Sequence, residues 1–323
     1  MSNIKERAAL INKEAALMGK KVYSGETPKN TTFRKDLQKV KSKVVTLDDA
    51  IRLSGLKDGM TISFHHHFRS GDKVVNMVVG RLAEMGFKNL HLAASSLSDV
   101  HAPLIEHIKN GVITKISTSG LRGELAKEIS HGLMNEPVIF RSHGGRGSDI
   151  ANDDLHIDVA FLAASACDPA GNASGYSRSP NAKSICGSLG YAKPDAQHAD
   201  KVVIITDDLV DYPNTPNSIS EHDVNYVVLV DSVGDSSKIS SGAIRDTKNP
   251  RDILLAMNAA KVIINSGYFK EGFSLQTGSG GASLAVVKYI REEMLKRGIH
   301  ASFALGGITA HMVKMHEEGL IGR

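Results

Sequence analysis

Short apolar runs of four or five residues alternate along most of this chain with stretches in which apolar positions recur every three or four residues. The first pattern reads as strand, the second as one face of a helix. Candidate strands are Thr61 to Phe64, Leu90 to Ala93, Val159 to Ala163, Val202 to Thr206, Tyr226 to Val230, Val262 to Asn265 and Ser274 to Thr277. Several are unbroken Val, Ile and Leu runs, which fits parallel strands covered on both faces. Val74, Val78, Leu82 and Met85 outline a helix face between the first two strands, and Val287, Ile290 and Met294 outline another. The order is largely β-α-β. It predicts an α/β fold, an open and mostly parallel sheet with helices on both faces.

Ile4, Ala8, Ile11, Ala15 and Met18 lie three or four apart and predict a short N-terminal helix closed by Gly19, while residues 20 to 45 read as a polar connector. Beyond it a repeat emerges. Lys57-Asp58-Gly59-Met60-Thr61-Ile62 returns as Lys270-Glu271-Gly272-Phe273-Ser274-Leu275. Each copy continues through a polar or glycine-rich loop and a helix, past Gly86-Phe87 or Gly298-Ile299, to Gly111-Val112-Ile113 or Gly319-Leu320-Ile321. The repeat predicts two similar α/β domains facing one another. On this reading residues 1–45 are an arm, 46–266 a complete first domain and 267–323 a second domain only begun, with its remainder truncated. Small-molecule sites favour such interfaces.

Composition narrows the classes. Hydrophobic residues at 41% and charged residues at 23% are those of a soluble globular protein, and the net charge of +4 comes without any long like-charge block, so nucleic acid is not an expected partner. No segment has a signal-peptide core or membrane-spanning length, which points to a cytoplasmic protein with no membrane partner. The two cysteines, Cys167 and Cys186, are too few for a disulfide framework and are not spaced as a metal site.

Ligand chemistry is sought in the loops that leave the carboxyl ends of strands. Gly278-Ser279-Gly280-Gly281 follows one strand and opens a helix, so its free N–H groups can hold an anion or a developing oxyanion; it matches neither the Rossmann fingerprint nor a P-loop. The matching loop of the first copy is His65-His66-His67-Phe68-Arg69-Ser70-Gly71-Asp72. Three consecutive histidines cannot all face one way, so no metal is expected there; imidazoles beside a guanidinium suit carboxylates instead. Asp168 and Asn172 lie in a turn-rich segment, and the glycines of His143-Gly144-Gly145-Arg146-Gly147, with Arg146, permit phosphate contact. Asp207 and Asp208 are adjacent in a strand-like run and would point to opposite faces, which argues against a dyad. No nucleophile-elbow, zincin or kinase signature is present.

Taken in order, these segments resemble the CoA-transferase superfamily and, within it, the family of citrate lyase α subunits. The resemblance rests on the two repeated strands, on Ile157-Asp158-Val159-Ala160-Phe161 running into Cys167-Asp168-Pro169-Ala170-Gly171-Asn172, on Ala199-Asp200-Lys201-Val202-Val203, and on Leu275-Gln276-Thr277-Gly278 with Gly298-Ile299-His300. It implies a CoA-transferase-like fold and an acyl exchange between citrate and an acetyl thioester carried on an acyl carrier protein, giving citryl thioester and acetate. The implied partners are the acyl carrier (γ) and lyase (β) subunits in an oligomer. No cofactor is expected on this chain, the substrate itself being a CoA-like thioester prosthetic group or acetyl-CoA. Where relatives of the acetyl-CoA hydrolase type carry a glutamate that becomes a covalent CoA thioester, this chain has Ala301-Ser302. The resemblance therefore implies exchange without an enzyme-bound CoA. Alternatives are an acyl-CoA hydrolase, a transferase for another carboxylate, or an inactive assembly fragment. On this reading His65, His66, His67, Arg69 and Ser70 bind the carboxylate substrate. Ser279, Gly280 and Gly281 stabilise the oxyanion, while Gly278, Asn172, Gly144 and Gly145 meet the thioester arm.

Overall fold

The computed structural model describes residues 4–19, 41–180, 182–186, 189–239, 247–278, 281–306 and 308–322. The N-terminal unit contributes helix α1 (Ile4–Leu17), followed by Gly19 at φ +65°. The second unit comprises residues 42–323.

That unit is built on an eight-stranded sheet. In chain order the strands and helices are β1 (Val44–Val45), α2 (Leu47–Ser54), β2 (Thr61–Phe64), α3 (Val74–Glu84), β3 (Leu90–Ala94), α4 (Leu104–Lys109), β4 (Ile113–Thr118), α5 (Gly123–Ser130), β5 (Ile139–Phe140) and α6 (His143–Ala151). There follow β6 (Val159–Ala164), a small antiparallel hairpin of β7 (Ala166–Cys167) and β8 (Ala173–Ser174), α7 (Lys193–His198), β9 (Lys201–Thr206) and β10 (Tyr226–Leu229). The spatial order is β1-β10-β9-β6-β2-β3-β4-β5, with every pairing parallel. Every residue of β6 is buried, which is why that strand reads as an unbroken apolar run. Phe161 of β6 stacks on Phe64 of β2, their ring centroids 5.7 Å apart.

The chain runs outward from β2 through β3, β4 and β5, then returns to lay β6 on the other side of β2. The direction of winding therefore reverses between β2 and β6. In open α/β sheets this reversal opens a crevice at the carboxyl ends of the two strands, where ligands bind.

A smaller parallel pair, β11 (Phe273–Thr277) and β12 (Ala301–Gly306), is packed with α8 (Pro250–Ile264), α9 (Gly281–Arg297) and α10 (Ala310–Glu317). Its core contains Ala260, Leu275, Val287, Ile290, Met294 and Met315. The repeat is visible down to single hydrogen bonds. The carboxylate of Asp58 accepts the N–H of Lys88, and that of Glu271 accepts the N–H of His300, both at 2.8 Å. Leu90 N–H donates to the Val112 carbonyl as Ala301 N–H does to that of Leu320, both at 2.8 Å.

Two expectations change. Val262–Asn265, read as a strand, is the last turn and cap of α8: Asn249 caps the helix start, Pro250 opens it, and Ala256 and Ala260 bury one face. Helix propagation from that start overrides the β-branched run. The connector ends in an edge strand, because Val44 and Val45 pair with Val227 and Val228 of β10. Among the described residues no helix is long and apolar enough to cross a membrane.

Candidate active site

The crevice between β2 and β6 is lined by the loops at the carboxyl ends of these strands. Immediately after β2 come the three histidines, and they divide. His65 and His67 turn inward, with ring centroids 3.6 Å apart, and all four of their ring nitrogens are buried without a hydrogen-bond partner. Burial, and then the neighbouring His67, His66 and Arg146, push His65 well below the ordinary imidazole range. Burial and then His66 bring His67 down to about 3, with the Ala163 carbonyl pulling weakly the other way.

His66 faces the other way and reaches a polar cluster. Its N–H donates to Ser95 Oγ at 2.8 Å, and its Nδ1 lies 2.6 Å from the same oxygen. While that oxygen accepts the main-chain N–H, the Ser95 hydroxyl proton is able to go to Nδ1. In that arrangement the ring proton is on Nε2, which can donate to a carboxylate or thioester oxygen. Burial lowers His66 to about 4, helped by His143, Arg69, Arg146 and Arg122, so it works as a neutral donor at neutral pH.

Around His66 stand residues from four other loops. His143, the first residue of α6, lies 5.5 Å away ring to ring; Tyr191, from the 3-10 turn Leu189–Ala192, lies 5.6 Å away; these two rings are 4.9 Å apart. The Tyr191 hydroxyl is 3.0 Å from Ser119 Oγ, beyond β4. Arg69 and Arg122 are exposed, from the loops after β2 and β4, and both oppose protonation of His66 electrostatically. Arg69 holds φ +49°, an unusual conformation for a residue with a side chain, and opens the turn Arg69–Gly71. A Cβ on Gly71 would overlap the Asp235 carbonyl oxygen, so the loop is closed by a contact only glycine permits.

Beneath the cluster lies a buried ion pair. Arg146 donates to both carboxylate oxygens of Asp195, at 2.8 and 2.6 Å, to Ser63 Oγ at 2.8 Å and to the Ala93 carbonyl at 3.2 Å. Ser63 also donates a short hydrogen bond to Asp195. Burial works against the Arg146 charge, but the Asp195 carboxylate more than offsets it and raises the guanidinium above its ordinary value. Arg146 is therefore not available for the phosphate contact its sequence suggests. Its segment is the helix α6, not a loop, and Ser142 caps it by accepting the N–H of Gly145 at 2.9 Å. The guanidinium instead sits 5.7 Å over the Tyr191 ring and fixes the floor of the cluster.

The remaining site candidates are distributed unevenly. Ser70 is exposed beside Arg69, and Gly144 is exposed in the first turn of α6 next to His143. Asn172 is withdrawn from ligands: its Nδ2 donates to Asp168 and Glu221, and its Oδ1 accepts from Asn217 and from the Glu221 N–H. Asp168 is likewise engaged by the N–H groups of Ala170, Gly171, Asn172 and Asn214. Ser279 and Gly280 lie outside the described residues. Among the described residues no hydrogen bond, ion pair or ring contact ties Gly278 or Gly281 to the His66 cluster. The Ser302 hydroxyl donates to the Phe273 carbonyl across the small sheet. Ser95, Ser119, Arg122 and Tyr191 have no sequence motif; only strand order, which predicts that loops after β3 and β4 meet the one after β2, would have pointed to the first three.

A family model for the citrate lyase alpha subunit (CitF) matches residues 39–323. The chain belongs to this family. The citrate lyase alpha chain of Klebsiella pneumoniae is 57% identical over 320 residues, which are 98% of this chain and 62% of that protein. The alpha chain of Escherichia coli (strain K12) is 57% identical over 295 residues, 91% of this chain and 57% of its own length. This citrate lyase alpha-family chain thus spans between about half and two thirds of the curated relatives it matches. A crystal structure of the alpha subunit of citrate lyase from Streptococcus mutans, in complex with citrate, superposes with TM-score 0.83 at 56% identity, covering 89% of this chain and 56% of that one. A malonate decarboxylase alpha subunit from Acinetobacter baumannii shares the fold, with TM-score 0.65 at 19% identity over 87% of this chain and 51% of that one.

Proposed function

We propose that this chain carries the carboxylate-binding half of a citrate CoA-transferase, acting in the cytoplasm with an acyl carrier subunit and a lyase subunit. The observation that carries the reading is the His66 cluster: two exposed guanidiniums, Arg69 and Arg122, beside a neutral imidazole donor at the point where the sheet reverses. The relative from Streptococcus mutans, solved with citrate, supports a tricarboxylate as the ligand.

In the exchange a citrate carboxylate attacks the acetyl thioester of the carrier. The C–S bond breaks, giving a mixed anhydride and a thiolate; the thiolate then attacks the citryl carbonyl and expels acetate. No group of the enzyme is acylated, which agrees with Ser302 being engaged in the sheet. Arg69 and Arg122 hold the carboxylates by charge-assisted hydrogen bonds, and His66 Nε2 donates to the oxygen on which charge develops. Gly281, at the start of α9, is assigned to the thioester oxyanion from the facing repeat, together with Ser279 and Gly280 before it in sequence. The two α/β repeats then form the walls of one site.

The test is citrate binding by titration calorimetry, with acetyl exchange from acetylated carrier measured alongside. Arg69→Ala is expected to weaken citrate binding about 10- to 100-fold, the worth of one charged hydrogen-bond pair, with an unchanged circular dichroism spectrum. Unchanged citrate affinity in Arg69→Ala would remove Arg69 from the site.

A further inference from the structure

At the amino ends of β6 and β9, the opposite end of the sheet from the crevice, four titratable side chains converge. Leu155 and Ile157 are buried, so alternation along the entry to β6 turns His156 and Asp158 outward. β9 runs parallel beside β6 with Lys201 opposite Val159, and the Asp200 N–H donates to the Ile157 carbonyl at 3.0 Å. That register sets Asp200 next to them. His156 Nε2 lies 3.2 Å from Asp200 Oδ2 and 3.9 Å from Asp158 Oδ1, and its Nδ1 lies 2.7 Å from Asp153 Oδ1. One ligand-type atom from each of His156, Asp158 and Asp200 lies within 4.8 Å of the other two. Asp158 is held from behind: its Oδ2 accepts the Thr61 N–H of β2 at 2.7 Å, which leaves Oδ1 to face the imidazole.

An ionised carboxylate only accepts hydrogen bonds, so the short contact with Asp153 puts a proton on Nδ1. At Nε2 the same rule leaves two occupants, a second proton or a cation held by the ring's lone pair. A single imidazolium would face three carboxylates, and among the described residues no lysine or arginine is ion-paired with any of them. A dication balances that charge better. The separations of 3.2 and 3.9 Å bracket the roughly 3.4 Å between ligands of a tetrahedral ion with bonds of about 2.1 Å. A metal-bound imidazole also gives its other N–H to a carboxylate as a rule, which is the part Asp153 plays. We propose that His156, Asp158 and Asp200 form a structural site for a divalent transition-metal ion of the zinc type, with Asp153 orienting the imidazole. The ion ties together the entries of β6 and β9 and, through Asp158 and Thr61, the start of β2, the strand that leads to His65. It takes no part in the exchange chemistry, and the site does not depend on that reading.

The probe is Zn²⁺ alone, titrated by calorimetry into the parent chain, His156→Ala and Asp200→Asn in citrate-free buffer, because citrate itself chelates the ion. The parent is expected to take up Zn²⁺ at this site and to melt at a higher temperature with it. Each variant, changed at an exposed position, is expected to bind at least about 10-fold more weakly and to gain no such rise. On the parent, Zn²⁺ should also shield His156 from diethylpyrocarbonate while the exposed His131 and His222 stay reactive, read by peptide mass spectrometry. No uptake by the parent, uptake undiminished in His156→Ala, or a His156 equally reactive with and without Zn²⁺ overturns the site and leaves an ion-pair cluster only. If a variant does not fold, the footprint on the parent decides.

Discussion

Two of the imidazoles after β2 make the fold acid-sensitive by an amount that can be worked out. An unfolded histidine titrates near 6.5, whereas folded His67 titrates at about 3 and His66 at about 4. Above pH 6.5 both states are neutral and neither group affects stability. Below it the unfolded chain takes up protons that the folded chain refuses, so stability falls with pH, by at most about 1.4 kcal/mol per unit for each group. The loss continues until the folded group itself protonates, at about 4 for His66 and about 3 for His67. At pH 5 the cost is about 2 kcal/mol for His67 and somewhat less for the partly exposed His66. Set against a typical total of about 5–15 kcal/mol, this is a large fraction. Urea unfolding of the parent and of His67→Leu at pH 7.5 and 5.0 isolates the term. The packing cost of the leucine is common to both pH values and cancels in the difference. The parent is expected to lose about 2 kcal/mol more than the variant between the two conditions. A difference under about 0.5 kcal/mol would show that His67 is not held neutral by burial, and the reasoning would fail.

Arg146→Met leaves the Asp195 carboxylate buried without its cation and is expected to cost about 3–5 kcal/mol in urea unfolding, most of it recovered by Asp195→Leu in the same chain; no recovery would mean the pair is not the source. Gly71→Ala drives a methyl into the Asp235 carbonyl and must shift the histidine loop. We expect a loss of about 1–3 kcal/mol together with weaker citrate binding, measured by unfolding and calorimetry; a variant matching the parent in both would show that the contact does not set the loop.

The parallel sheet was legible wherever burial on both faces left an unbroken apolar strand, as in Val159–Ala164. It was illegible in β4, where polar residues interrupt the apolar run. In Ile113–Thr118, Ser117 and Thr118 are buried at the end that meets the cluster and break the apolar run. The end of α8 misled because β-branched residues favour strands only when no helix reaches them. Within the site, the loop from His65 to Ser70 stood out because rare side chains follow a strand directly. Tyr191 did not, since it arrives on a 3-10 turn from far along the chain and only packing brings it to His66.

The ion pair under the cluster also orders events during synthesis. Ser63 and Asp195 are 132 residues apart, so the floor of the site cannot be laid until α7 has left the ribosome. At a translation rate of roughly 5–20 residues per second, β2 waits about 7–26 seconds for that partner. Until β6 emerges, 97 residues after Ile62 of β2, the β6 side of β2 is an open strand edge, the kind of surface that pairs with the wrong chain. The nascent protein is therefore most exposed to misassociation at the strand that later carries its histidines, and a chaperone engaged over that window would protect the site rather than the bulk of the sheet.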